Sequence, residues 1–204
     1  MANSLPTRLT LASGSPARRE LLSEAGYSFD VLPANIDEPR GDGVRDIRAF
    51  VQQVAWLKAA AVAPRVADGI VLAADTVAWI DGAVIGKPAD EADARRILTQ
   101  LGAREHELWT GVCLWRRPDD VQLAWQEVTH VWFKRLDAAE LDAYLATRQW
   151  ANNSGAYAIQ GPDDPYVRVV TGSMSNVIGL PMETCQSLLR WFGGLAPRRG
   201  SGSA

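Results

Sequence analysis

Ile70-Val71-Leu72-Ala73-Ala74-Asp75-Thr76 is the most informative stretch of the chain. Five apolar residues run without interruption and end on an acid and a hydroxyl. The run is too short for a helix and too continuous for a half-exposed strand, so it reads as a central strand buried on both faces. Sheets of that kind present polar residues at the C-terminal ends of their strands, where their sites form. Asp75 is therefore a candidate general base or metal ligand; a simple turn residue is the alternative.

Working outward toward the C-terminus, residues 77–80 and 83–85 flank Asp81-Gly82, a hairpin signal. Gly86-Lys87-Pro88 leads to a helix over 91–101, with Asp90 as N-cap and Gly102 as stop. Strands follow over 106–115 and 121–133, joined by a turn at 117–120. Asp137 and Glu140 form a capping box for a helix reaching about residue 147. Residues 150–161 read as loop, then strand; 167–170 is a strand; Pro181 opens a last helix that Gly193 closes.

Toward the N-terminus, a strand over 8–12 precedes Ser13-Gly14-Ser15-Pro16 and a helix over 17–25. Ser15 suits its N-cap, Pro16 its first position and Gly26 its stop. A short strand over 28–32 and a polar loop over 33–43, carrying Asp37 and Glu38, lead to a helix over 46–63. Its inward side is read as Ile47, Phe50, Val51, Val54 and either Leu57 or Trp56. Helices alternate with strands around an antiparallel 106–133 hairpin, which predicts an α/β architecture with a mixed sheet and flanking helices.

The 204 residues fit one domain or two small lobes, and 47% apolar content supports a packed core. A net charge of −3 excludes a global field for nucleic acid, and no apolar run is long enough to span a membrane. Residues 1–8 lack the features of a secretory signal. Cys113 and Cys185 read as buried thiols in a reducing cytosol. The eight tryptophans read mostly as core or interface, and the Gly/Ser-rich tail as disordered.

Several stretches could carry chemistry. Ser13, Gly14, Ser15 and Arg18 sit where a strand meets a helix N-terminus, and small residues, free N–H groups and a guanidinium there can hold an anion. A capped helix with a solvated Arg18-Arg19 pair explains the same residues. Lys87, between Gly86 and Pro88, has a backbone that could aim its ammonium. Asp37 and Glu38 are further metal candidates. Lys58 lies in an apolar helix, where a solvated face is the ordinary expectation. In Asn153-Ser154-Gly155-Ala156-Tyr157-Ala158-Ile159-Gln160-Gly161, small residues could admit a base, and Gln160 could read its edge; a β-bulge is the alternative.

Taken together, Ser13 to Leu22, Asp37-Glu38, Ala74-Asp75-Thr76, Gly86-Lys87-Pro88, Thr110-Gly111-Val112, Gly155 to Gly161 and Ser175 to Pro181 resemble, in order, the motifs of the Maf (septum-formation-inhibitor-like) family of nucleoside triphosphate pyrophosphatases. The resemblance covers about residues 8–193. It implies an elongated mixed sheet in two lobes around a nucleotide cleft, similar to the inosine-triphosphate pyrophosphatases. It also implies a cytoplasmic homodimer, Mg²⁺ or Mn²⁺ as cofactor, and hydrolysis to a monophosphate and pyrophosphate. Glu38 and Asp75 would hold the metal, Asp75 would also be the base, and Lys58 and Lys87 would bind phosphate. Thr76 and Gln160 would orient the nucleobase, and both resemble the branch acting on dTTP and UTP rather than on 7-methyl-GTP. Purine nucleotides, or a non-catalytic role in septum formation, are the alternatives. Two positions depart from the pattern: Ala17 and Asn153 stand where many members carry Arg and Lys.

Overall fold

The computed structural model describes residues 8–151, 153–159, 161 and 163–195. In it the apolar run is the first half of a longer strand, β3 (Gly69–Ile80). Asp75 and Thr76 lie in its middle, not at its C-terminal end as the sequence suggested. The strand continues because β5 (Arg104–Arg117) pairs with it throughout, including Asp75 with Gly111 and Thr76 with Thr110.

The remaining strands are β1 (Leu9–Leu11), β2 (Asp30–Val31), β4 (Ala83–Ile85), β6 (Val121–Phe133) and β7 (Val167–Thr171). They form a seven-stranded sheet in the order β2-β1-β3-β5-β6-β7, with β4 also on β3. β1 is parallel to β2 and β3, and the other pairs are antiparallel, so the expected mixed sheet is present. The β3–β4 hairpin turns through Asp81 and Gly82, whose φ of 54° and 75° are those of a type I′ turn.

One edge of β3 has a gap. β1 accompanies it as far as Leu72, and β4 joins only at Ala78. Asp75 and Thr76 sit in that interval, where no other strand pairs with that edge of β3.

Helices cover both faces: α1 (Pro16–Glu24), α2 (Ile47–Val62), α3 (Glu91–Leu101), α4 (Ala138–Ala146), α5 (Met174–Ile178) and α6 (Met182–Gly193). Leu22 of α1 and Leu189 of α6 pack on Leu9, Leu72 and Ala74. On the opposite face, Ala55, Ala59 and Val62 of α2 pack on Val71, Ala73 and Cys113. The far end of the sheet has its own core, in which Leu98 of α3 and Leu145 of α4 meet Ala78, Leu108 and Phe133. Ala74 thus belongs to one core and Ala78 to another, and Asp75-Thr76 mark the seam between two lobes.

Some expectations are corrected. α2 buries Ile47, Val51, Val54, Ala55, Lys58, Ala59 and Val62. That stripe excludes Trp56, which is 40% exposed and stacks obliquely on Trp115. Trp191 is exposed as well, whereas Trp109 and Trp150 are buried. Residues 154–156 form a 3₁₀ turn, not a strand or bulge, and α5 was not foreseen. Cys113 and Cys185 are buried as expected, and burial pushes both thiols up to about 12. No helix among the described residues is long and apolar enough to cross a membrane. The predicted disordered tail lies outside the described residues from position 196 onward.

Candidate active site

Lys58 is delivered by α2. Asp46 caps that helix, accepting from the backbone N–H of Arg48 and Ala49 at 3.0 and 3.2 Å. The helix then rests directly on the sheet at Gly111, where a Cβ would lie 2.1 Å from the carbonyl oxygen of Val51. Only glycine permits that approach. Two turns beyond Val51, Lys58 emerges from the same buried stripe, and its side chain leans back toward the helix N-terminus. Its Nζ donates to Asp75 Oδ1 at 2.7 Å and pairs with Glu38 Oε2 at 3.0 Å. Lys58 is 8% and Asp75 7% exposed, whereas the Glu38 side chain is 45% exposed. The solvated lysine of the sequence reading is therefore replaced by a buried one bridging two carboxylates. Removing one member of such a pair is costly because the other charge stays buried.

Arg18 approaches β3 from the opposite face. Ser15 caps α1, its hydroxyl oxygen accepting from the Arg18 N–H at 3.4 Å, and Pro16 fills the first turn. The Arg18 guanidinium then points inward. Nε donates to the Gly179 carbonyl at 2.8 Å, one terminal nitrogen to Ser13 Oγ at 3.1 Å, and the other to Thr76 Oγ1 at 3.1 Å. Burial lowers its pKa, and the charges of Asp75 and Glu38 pull the other way. Among the described residues no carboxylate reaches ion-pair distance of it. The expected arginine pair divides: Arg18 is buried and Arg19 exposed. The Thr76 hydroxyl is 2.9 Å from that of Thr110 as well as bonded to Arg18, so it braces Arg18 rather than standing free for a nucleobase.

Three adjoining hollows make up the cleft, and Lys87 lines all of them. One contains Arg18, Lys58, Asp75 and Thr76 and is walled by Tyr157, Ile159 and Ile178. The second opens toward Glu38 and Phe50. The third contains Ser13, Gly14 and Ser15. Lys87 is exposed and has no ion-pair partner among the described residues. Ala17 and Asn153, the two departures, both line the cleft. Asp37 is exposed and does not pair with Lys58. Gln160 lies outside the described residues.

Sequence reasoning missed the Gly179 carbonyl, the Ser154 hydroxyl, which donates to the Thr76 carbonyl at 2.9 Å, and the seating role of Gly111. The signal for Lys58 was present: it continues the 47–51–54 spacing of the buried stripe.

The site can do two things chemically. Arg18, Lys58, Lys87 and the α1 N-terminus offer positive charge to a polyanion. Asp75, with Oδ1 held by Lys58, offers Oδ2 as a proton acceptor. No cluster of three or more His, Cys, Asp or Glu able to hold a metal occurs among the described residues. Two carboxylates are nevertheless the hard oxygen donors that suit Mg²⁺ when substrate phosphates complete its shell.

The fold is shared with a Staphylococcus aureus structure titled as the Ham1 protein. It superposes with a TM-score of 0.51 at 13% identity, covering 91% of this chain and 97% of that one. The family profile described as Maf-like protein matches residues 8–192. A relative from Anaeromyxobacter sp. (strain Fw109-5), named dTTP/UTP pyrophosphatase, is 44% identical over 96% of this chain and 98% of its own. Another of that name, from Pelotomaculum thermopropionicum, is 38% identical over 91% of this chain and 96% of its own. The chain belongs to the Maf-like family.

Proposed function

We propose that this chain is a nucleoside triphosphate pyrophosphatase that hydrolyses dTTP and UTP to the monophosphate and pyrophosphate. The observation that carries the reading is the Asp75–Lys58–Glu38 cluster, set beside the Arg18 cradle in the seam between the lobes. The names of the relatives support the substrates.

The phosphates lie along Arg18, Lys87 and the backbone of Ser13 to Ser15. Three of the five guanidinium N–H groups of Arg18 have protein partners, so two remain for phosphate oxygens. Asp75 accepts a proton from the water that attacks the α-phosphorus. The new P–O bond forms as the bond to the β-phosphate bridge breaks, and pyrophosphate departs. Lys58 fixes the orientation of Asp75 and offsets negative charge. Glu38 and Asp75 would hold Mg²⁺ or Mn²⁺, which supplies neutralisation of phosphate charge and a more acidic water. Tyr157, Ile159 and Ile178 form an apolar wall suited to a flat base, and Gln160 reads its edge. A homodimer in the cytoplasm belongs to the same proposal and rests on the family resemblance.

Pyrophosphate release from a panel of nucleoside triphosphates tests this. Turnover of dTTP and UTP is expected to exceed that of 7-methyl-GTP and the purine nucleotides, to vanish in excess chelator and to return with Mg²⁺ or Mn²⁺. Tight nucleotide binding without turnover would leave a non-catalytic regulator. Light scattering of the purified chain tests the dimer.

A further inference from the structure

We propose that His106 is a positioning residue for nucleotide binding: through Tyr157 it holds in place residues 153–159, which carry Tyr157 and Ile159 of the cleft's apolar wall. The two residues are 51 positions apart, yet His106 Nε2 lies 2.7 Å from Tyr157 Oη, and both side chains are buried. The Tyr157 ring meets His106 edge-on, with centroids 5.6 Å apart, and tilts against Phe133 at 5.3 Å. It also lines the cleft, so one ring joins the core of the second lobe to the nucleotide site.

The segment it anchors is strained. Gly155 and Ala156 follow one another at φ of 77° and 60°, and the left-handed region is unfavourable for alanine, whose Cβ crowds the following carbonyl oxygen. Strain of this kind persists only where surrounding contacts over-determine the backbone. Those contacts are present. Ser154 Oγ donates to the Thr76 carbonyl, Gly155 N–H donates to the Gly86 carbonyl at 3.1 Å, and Ala158 N–H donates to Tyr144 Oη at 3.3 Å. The His106–Tyr157 bond is the shortest of the set and the one made between two buried side chains. Burial lowers the His106 pKa to about 4 and raises that of Tyr157, so both partners stay neutral at the pH of the cell and the anchor is constant there.

This inference rests on the hydrolysis reading, and the test separates the two. Tyr157→Phe removes one oxygen, and His106→Phe removes the other partner. Each is expected to raise KM for dTTP about three- to tenfold, the worth of one neutral hydrogen bond, with a smaller change in kcat. The double variant should be no worse than the poorer single one. His106→Gln, which keeps a hydrogen-bonding group, should recover part of the loss. Competitive inhibition by inorganic triphosphate, which has no base to touch the wall, should be unchanged in every variant. If His106→Phe fails to fold, Tyr157→Phe decides by the same readings. Wild-type turnover with an unaltered KM in Tyr157→Phe, or parallel losses for dTTP and inorganic triphosphate, overturns the inference alone. Absence of dTTP and UTP turnover in the wild type overturns the hydrolysis reading and the inference with it.

Discussion

Lys58 and Arg18 reach neighbouring residues of β3 from opposite faces of the sheet, because successive strand side chains alternate. Their surroundings differ completely. Lys58 contacts two carboxylates, at 2.7 and 3.0 Å. Arg18 contacts a carbonyl and two hydroxyls. The first charge is already compensated where it sits. The second is desolvated, and Asp75 and Glu38 support it only at longer range. In the proposed reaction the two would divide the work: Lys58 organises the acidic residues that act on water, and Arg18, fixed and under-compensated, is the cation that an incoming phosphate relieves.

Exchanging the two residues' chemistry should therefore break different parameters. Lys58→Met is expected to have the larger effect on turnover, with kcat down on the order of 10²–10³ because a preorganised charge at the reacting centre is lost. Steady-state hydrolysis of dTTP measures it, and a change below tenfold would make Lys58 structural. Arg18→Lys keeps the charge but loses the planar fork. KM for dTTP should rise more than kcat falls. Unpaired oxygens at Ser13 and Gly179 should cost about 2 kcal/mol, or about 4–8 °C in Tm for a chain of this size. A kcat-dominated loss in Arg18→Lys would erase the distinction between the two cations. The smallest effect belongs to Ser15→Ala, which removes the cap that aims Arg18. It should cost about 1 kcal/mol and lower Tm by less than Arg18→Lys does in the same calorimetric scan.

Much of the framework that carries these two residues is legible in the sequence, and the gaps have physical causes. Ser15-Pro16 and Gly26 bracket α1 because capping is local chemistry, and the same holds for Asp90 with Gly102 and for Asp137 with Glu140. The run at 70–74 identified the central strand, but Asp75-Thr76 broke the apolar pattern, so the strand seemed to stop there. Pairing with Gly111 and Thr110, more than thirty residues away, carries it onward, and no local signal contains that. Lys58 was misplaced because residue type outweighed periodicity. α5 is too short to show a period. The His106–Tyr157 contact joins elements that only the folded sheet brings together.

Burial also changes what to expect of Asp75 itself. As a carboxylate at a strand end facing solvent, it could be replaced without cost to folding. Buried against Lys58, it cannot: Asp75→Asn keeps an acceptor oxygen for that ammonium but leaves the half-exposed Glu38 as its counter-charge, and withdraws support from Arg18. A loss of about 1–2 kcal/mol follows, small enough to leave the chain folded.

The central claim is that Asp75, held by Lys58, is the group that takes the proton. Single-turnover hydrolysis of dTTP by Asp75→Asn, at saturating Mg²⁺ and at a temperature where circular dichroism shows the variant folded, tests it most directly. The predicted result is a rate lower by on the order of 10²–10⁴, with dTTP still bound. A folded variant that cleaves dTTP within tenfold of the wild-type rate would contradict the claim and move the base to Glu38.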